Sequence, residues 1–531
     1  MPDAVVVGAG HNGLVAANLL ADAGWSVAVL EAQPEPGGAV RSGELTLPGF
    51  CHDLFSAFFP FAAASPVIRS LLLEDHGLRW RRAPLVLAHP TPDGRCMALS
   101  TDLDETAASL DSFAPGDGDA WRRLYGRWEK VGDRLLDAVC SPFPPVVAGA
   151  RLAAALGRPT DVLRFARFGV LPVRRMAEEE FAGEGGALLL GGNAMHADLA
   201  PESPPSGMYG WLLACLGQQW GFPVPEGGAG RLTAALVRRL ESRGGTVTCD
   251  APVARVVVRG GRAVAVRTAG GDEVDAGRAV LADVGAPALY LDMVGVDHLP
   301  AGLVDDLRRF QYDVATVKVD WALGGPVPWT AEPARRAGTV HVGDSLDELS
   351  QWACHLATGT IPDRPFLLFG QQSMADPGRS PAGTETAWAY THVPTRTRRD
   401  AGGSLTGRWD PAEGESFADR IEARVEALAP GFRDLVLGRH VFTPGAMEAA
   451  DANLVGGSII GGTAQIHQQL VFRPVPGRGR AETPVRGLYL ASSSAHPGGG
   501  VHGACGSNAA RAALAGDRYR RLGLPRRRTS T

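Results

Sequence analysis

The sequence runs to 531 residues, 45% hydrophobic and 21% charged, with a formal net charge of −5. That length exceeds one ordinary core, so two or more domains are expected, and the composition is that of a soluble globular protein. Mild acidity gives no electrostatic footing for a nucleic-acid partner. The seven cysteines are odd in number and form no C-x-x-C, so neither a zinc site nor a dithiol motif is signalled and no metal is expected. A reducing cytoplasm fits this usage. The first strand begins near residue 4, which leaves no room for a leader peptide. No apolar stretch has membrane-spanning length.

Ala4-Val5-Val6-Val7 reads as a strand that runs into Gly8-Ala9-Gly10-His11-Asn12-Gly13. Leu14 to Ala23 then reads as a helix and Ser26 to Leu30 as a second strand, ending in Glu31 eighteen positions after Gly13. A G-x-G-x-x-G by itself is weak; framed by strand, helix and acid it marks a dinucleotide-binding unit. Gly8 allows the tight turn, Gly10 lets a pyrophosphate approach the backbone, and Gly13 lets helix and strand pack closely. The helix N-terminus at His11 and Asn12 supplies unpaired N–H groups and a positive dipole end. Glu31 accepts from a ribose diol and would repel a 2′-phosphate, which disfavours NADP.

After Glu31 the chain continues Ala32-Gln33-Pro34-Glu35-Pro36-Gly37-Gly38-Ala39-Val40-Arg41. A glycine pair followed by an arginine resembles the FAD-binding fingerprint of flavin amine oxidases and phytoene desaturases. Gly37 and Gly38 permit close backbone approach, and Arg41 offers a guanidinium to a phosphate. FAD is therefore favoured over NAD, with Ala32 and Ala39 counted among the residues around it.

Leu45 to Phe50 reads as a strand-like lead into a loop, and Leu54 to Ala64, rich in phenylalanine (Phe55, Phe58, Phe59, Phe61), as core or as the wall of an apolar pocket. Trp121, Leu124, Trp128, Val131 and Leu135 fall at helical spacing. Residues 130–175 mix arginines with Leu, Val and Phe, a surface suited to touching lipid, although a solvated face is the preferred reading. Gly191-Gly192-Asn193-Ala194-Met195-His196 precedes a Trp- and Leu-rich helix. From Pro225 the chain returns to alternation: a helix over 232–243, a strand at 246–248, a hairpin of 253–258 with 262–268, and a strand at 279–283. Ala315 to Leu323 and Trp388 to Pro394 read as strands, and 415–429 as a helix. Gly456 to Gly462 is glycine-rich, but no strand–helix unit frames it, so it is not counted as a second nucleotide site.

Near the end, Gly487-Leu488-Tyr489-Leu490-Ala491-Ser492 leads into Ser493-Ser494-Ala495-His496-Pro497-Gly498-Gly499-Gly500-Val501-His502-Gly503, then a helix over about 507–515 and a basic tail over 520–528. Together with the two N-terminal motifs and Pro225 to Arg231, this resembles the phytoene desaturase and carotenoid isomerase-like group of FAD-dependent oxidoreductases, over nearly the full length. The resemblance implies an α/β fold in which a Rossmann-like FAD-binding domain is interrupted by an α+β substrate domain. The expected division is 1–100, 221–290 and 481–531 for the FAD domain, 101–220 for a helical cap, and 291–480 for the substrate domain. It also implies that Gly8, Gly10, Gly13, Glu31, Gly38 and Arg41 hold the ADP half, that Val253 flanks the adenine, and that Gly499, Val501, His502 and Gly503 line the ribityl and isoalloxazine. Where many such enzymes carry an acid after the last strand, this chain has Ser492-Ser493-Ser494, and the Ser493 hydroxyl is the substitute.

The activity implied is dehydrogenation or isomerisation of a hydrophobic, polyene- or lipid-like molecule by hydride transfer to flavin N5, with oxygen, a quinone or NAD(P) as acceptor. Lys318 looks like the amine oxidase lysine that reaches N5 through a water; an ordinary exposed strand lysine is the competing reading. His502 is an acid–base candidate beside it. Two alternatives stay open: a flavin amine oxidase using Lys318, and a cofactor-free binder of prenyl or lipid groups on the same fold. A cytoplasmic enzyme with peripheral membrane contact fits the whole.

Overall fold

The computed structural model describes residues 1–522, and two sheets organise them. The first has five parallel strands in the order Leu488–Leu490, Ala279–Ala282, Ala4–Val7, Val27–Leu30, Thr246–Thr248. Its central strands are unbroken apolar runs because both faces are covered. Ala4, Val6, Val29 and Leu281 face the helices His11–Asp22, Gly230–Ser242 and Ala504–Arg521. Val5, Val7, Val280 and Leu488 face a three-stranded antiparallel sheet, Val253–Arg259, Arg262–Thr268 and Glu273–Asp275, through Val256, Ala263 and Val266. Each fully buried valine or leucine contributes about 1.5–3 kcal/mol, so this double cover is what holds four-residue strands in place.

The second sheet has seven strands in the order Val436–Phe442, Ala315–Leu323, Glu385–Val393, Leu367–Gln371, Ala337–Val342, Leu85–Pro90, Cys96–Leu99. Val317, Val319, Trp321, Val340 and Phe369 pack beneath the helix Pro411–Leu428 through Phe417, Ile421 and Val425. The opposite face carries Lys318 across from Tyr390 and Asp320 across from Trp388, with His392 beside Thr316 and His341 beside Leu368. That face looks toward a helical layer of Asp117–Cys140, Glu184–Ala194 and Ser206–Trp220. Trp121, Leu124, Trp128, Val131 and Leu135 form the buried stripe of the first of these, as their spacing requires.

The structure departs from the sequence reading in three places. Leu85–Pro90 and Cys96–Leu99 belong to the second sheet, because Leu85, Leu87 and Ala88 pair with Ala337, Thr339 and Val340; the segment 1–100 is shared between both sheets. Gly191 to Ala194 lies inside the helix Glu184–Ala194, where a Cβ on Gly191 or Gly192 would strike Leu346 or His341. The lead before Phe50 is not a strand; only Ser42–Gly43 and His52–Asp53 pair across that loop, Pro48 having no N–H to give. Among the described residues no helix is long and apolar enough to cross a membrane. The basic tail lies from 523 onward outside the described residues.

Candidate functional site

The nucleotide loop is shaped by glycines that side chains would ruin. Gly8 has φ +91°, a left-handed conformation that costs glycine little. A Cβ at Gly10 would lie 2.6 Å from Asp283 Oδ2, and one at Gly13 would overlap the Gly8 carbonyl. Glu31 is buried at the end of its strand, and its carboxylate accepts the Ala9 N–H at 2.7 Å and the Gln33 N–H at 2.9 Å. Asp283 ends the neighbouring strand in the same way and accepts the Gly13 N–H at 2.8 Å. Burial, aided by the Asp451 and Glu31 charges and opposed by the Gly13 amide, pushes the Asp283 carboxyl up to about 7.

The second motif closes on the first. Gly37 N–H donates to the Ala9 carbonyl at 2.9 Å, and a Cβ on Gly38 would meet Gly10 Cα at 3.3 Å. Arg41 donates from Nε to the Gly38 carbonyl (2.9 Å) and from Nη2 to the Ala450 carbonyl (2.7 Å), which fixes its guanidinium at the loop. Ala39 accepts the Ser56 N–H, tying the loop to the phenylalanine segment, while Ala32 is exposed. Ala251 N–H donates to the Glu31 carbonyl at 2.8 Å, so Val253 starts its strand beside the acid.

The C-terminal motif packs onto the same loop. The helix Ala504–Arg521 lies so close to His11–Asp22 that a Cβ on Gly506 would overlap the Asn12 carbonyl. Gly503 meets Val15, and Gly499 meets Ile460. His502 Nδ1 accepts the Ala504 N–H at 3.0 Å, its carbonyl accepts the Ser65 hydroxyl, and burial holds its ring down to about 3. Val501 is half-buried on the core of the first sheet. His11 Nε2, Asn12 Oδ1 and both amide atoms of Asn508 are buried without a partner. Unpaired groups of this kind cost about 1–3 kcal/mol each and ask for a ligand rich in donors and acceptors. A dinucleotide fits that demand.

Sequence reasoning missed three parts of this wall. Asp283 was legible, since an acid at the tip of a strand beside the glycine loop repeats the position of Glu31. The stretch Gly456 to Gly462 braces the nucleotide loop, with Gly461 against Ser493 and Ile460 against Gly499. Arg473, fully buried, donates to the carbonyls of Ser493 (2.7 Å), Thr463 (3.0 Å) and Ile460 (3.1 Å) and so sews these loops together.

Lys318 is buried, which disposes of the exposed-lysine reading. Its ammonium donates to both Asp320 oxygens at 2.5 Å and to the Asp53 carbonyl at 3.0 Å. Alternation places residues 318 and 320 on one face, so the strand builds its own ion pair. His52 Nδ1 stands 3.6 Å from Asp320, and Asp53 is itself bridged to the buried Arg379 at 2.8 Å. Between this sheet and the cofactor motifs runs the phenylalanine segment. Phe61 meets the His502 ring edge-on at 6.4 Å, and Phe58 meets Trp388 at 6.0 Å.

A glycine-lined nucleotide loop with its strand-end acid, closed by a C-terminal glycine turn and facing a buried mixed sheet, defines a two-domain flavoprotein. Residues 13–319 match the family described as flavin containing amine oxidoreductase, and the chain belongs to that family. It is 30% identical to pyridine nucleotide-disulfide oxidoreductase domain-containing protein 2 of Rattus norvegicus, over 96% of this chain and 92% of that one. It is 28% identical to a hydroxyneurosporene desaturase of Cereibacter sphaeroides (97% and 98% covered) and 27% identical to a lycopene-forming phytoene desaturase of Pseudescherichia vulneris (97% and 99%). Cyclohexylamine oxidase of Brevibacterium oxydans shares the fold, with TM-score 0.58 at 16% identity over 98% and 99% of the two chains. The chain is thus a phytoene desaturase-like, FAD-dependent oxidoreductase.

Proposed function

We propose that this oxidoreductase desaturates a hydrophobic, lipid-like molecule at a carbon–carbon bond. The observation that carries the reading is the pair of aromatic contacts made by the phenylalanine segment, Phe61 with His502 on the cofactor side and Phe58 with Trp388 on the side of the seven-stranded sheet. Bound FAD supplies the hydride acceptor, N5 of its flavin. The chain's own work is to bind and orient. Gly10, His11 and Asn12 offer backbone to the pyrophosphate, Gly8 and Gly13 shape the turn that presents them, Glu31 holds the ribose, and Arg41 stands by the phosphates. Val253 flanks the adenine, and Ser493, Gly499, Val501 and Gly503 border the flavin end.

His502 acts through position. With Nδ1 committed to Ala504 and its ring neutral, it holds the glycine turn and takes no proton near pH 7. Lys318 spends its three N–H donors on Asp320 and Asp53, and so has none left to hold a water for amine oxidation. That favours the desaturase over the amine oxidase. The helix Val146–Leu156 has no buried residue, and Val146 and Val147 are 72% and 65% exposed beside Arg151; this is the surface we assign to lipid contact, where an apolar substrate is collected.

The test is anaerobic addition of candidate polyenes to the FAD-loaded protein. Bleaching of the flavin spectrum with a desaturated product supports the reading, and re-oxidation by oxygen, a quinone or NAD(P) then identifies the acceptor. Product formed only after prior reduction of the flavin, without net oxidation, replaces it with an isomerase. A preparation that takes up no FAD sinks it. Sedimentation with anionic vesicles, lost on V146S/V147S, checks the lipid surface.

A further inference from the structure

A pocket of about 240 Å³ lies against the short helices Pro60–Ala64 and Pro66–Ser70. Ile68, Trp80 and Trp220 give its lining flat, apolar surface, and Arg69 and Arg82 give it charge. Both arginines are exposed and both indoles half-buried, so the pocket opens to solvent. The Arg69 guanidinium lies over the Trp220 ring at 5.0 Å, and Arg82 Nε donates to the Trp220 carbonyl at 2.8 Å. Those contacts gather two cations about one tryptophan. Neither cation has an acidic partner among the described residues. A single carboxylate, Glu74, shares the lining with them, which leaves it net positive.

The same two helices back onto the C-terminal glycine turn. Phe61 stands edge-on to His502 at 6.4 Å, while its neighbours Ala62 and Ala63 line the pocket. Ser65, between the two helices, donates to the His502 carbonyl at 2.6 Å. Ile68 serves both sides: it lines the pocket, and a Cβ on Gly503 would lie 3.1 Å from its Cδ1. One side chain therefore separates the pocket from the turn assigned above to the flavin end. Pockets for drug-sized ligands hold about 300–1,000 Å³, so this one suits a smaller molecule of about two fused rings and is too small for a polyene or a dinucleotide. Indole faces take a flat ring, and guanidinium groups take an anionic oxygen.

Building on the FAD-dependent desaturase reading, we infer that this pocket seats the electron acceptor, a quinone that carries a negative group. Two electrons and two protons pass from the reduced cofactor to the quinone, the protons by way of water. The two quinone carbonyl oxygens become hydroxyls, and FAD is restored. Oxygen needs no charged aromatic slot. NAD(P) needs a strand–glycine–helix unit of its own, and none frames this pocket among the described residues.

The test uses naphthoquinone sulfonate against uncharged naphthoquinone, on protein loaded with FAD so that the nucleotide site is filled. In calorimetric titration the sulfonate is expected to bind about tenfold more tightly, the worth of one charge-assisted hydrogen bond. Arg69→Ala and Arg82→Ala, both at exposed positions, should each remove most of that preference. Trp220→Leu should weaken both quinones several-fold. Next, the flavin is reduced with just enough dithionite, without any lipid, and mixed anaerobically with the sulfonate. Arg69→Ala should raise the concentration for half-maximal re-oxidation about tenfold and leave re-oxidation by oxygen within about twofold. Equal affinity for the two quinones, or variants that bind both as the unaltered protein does, overturns the site. Weakened binding with unchanged re-oxidation overturns the acceptor role. Because dithionite stands in for the lipid as reductant, a protein that passes these tests yet desaturates nothing keeps this site and loses the desaturase.

Discussion

The cofactor loop and the substrate sheet reach precision by opposite means. At the loop, selectivity comes from what is missing: Gly10 and Gly13 hold no Cβ, so backbone, Asp283 and the helix ends come close enough to enclose a ligand. On the sheet, it comes from side chains that have been buried against their preference, with Lys318 and Asp320 locked together and Trp388 and His392 left partly unpaired. The loop is local in sequence and tolerates no addition. The sheet is assembled from distant strands and tolerates no deletion of one partner alone.

The largest test of that contrast is Asp320→Ala. It strands a buried ammonium, and the expected loss is about 3–5 kcal/mol in chemical denaturation; replacing both partners, as in K318M/D320L, should recover most of it. A single change as harmful as removal of both would refute the pairing. Next, Gly10→Val should weaken FAD binding on the order of a hundredfold, because the added atoms meet Asp283 and have nowhere to relax. Titration of FAD into stripped protein measures this, and unchanged affinity would show that the loop is not the nucleotide site.

The third test uses pH. In the folded, FAD-free protein Asp283 titrates at about 7 against an ordinary 3.8, so it keeps its proton over an interval in which the unfolded chain has lost it. Its contribution to stability therefore falls as pH rises from about 4 to about 7 and is level above that. Asp283→Asn should remove this decline, seen as a flatter plot of unfolding free energy against pH. The smallest effect is expected at Ser65, whose hydroxyl caps Pro66–Ser70 and donates to the His502 carbonyl. Ser65→Ala should cost about 1 kcal/mol in thermal unfolding while FAD uptake persists.

What could be read from the sequence follows the same division. The Gly8–Gly13 loop, Glu31 and the Gly37-Gly38 pair were legible because contiguous residues perform the work. The strand Ala315–Leu323 was legible to its ends, since nine alternating residues outweigh any competing pattern. Lys318 was visible as unusual, yet its partner two residues along went unremarked: a charged pair on one strand face signifies an ion pair only when that face is buried. Arg473 and His392 were out of reach for another reason. Each acts on residues brought beside it by the fold, as Arg473 does on Ser493 and His392 on Thr316, and nothing in their own neighbourhoods announces it.

The order of strands in the first sheet has a consequence for how the molecule comes into being. Leu488–Leu490 pairs with Ala279–Ala282, which pairs with Ala4–Val7, so this layer cannot close while the ribosome is still translating the middle of the chain. Its earliest segments must wait, with apolar edges showing, through hundreds of residues of further synthesis, a period in which chains of such topology are vulnerable to aggregation. Expression at reduced translation temperature, or alongside a holdase chaperone, is the condition under which this protein should be recovered in quantity.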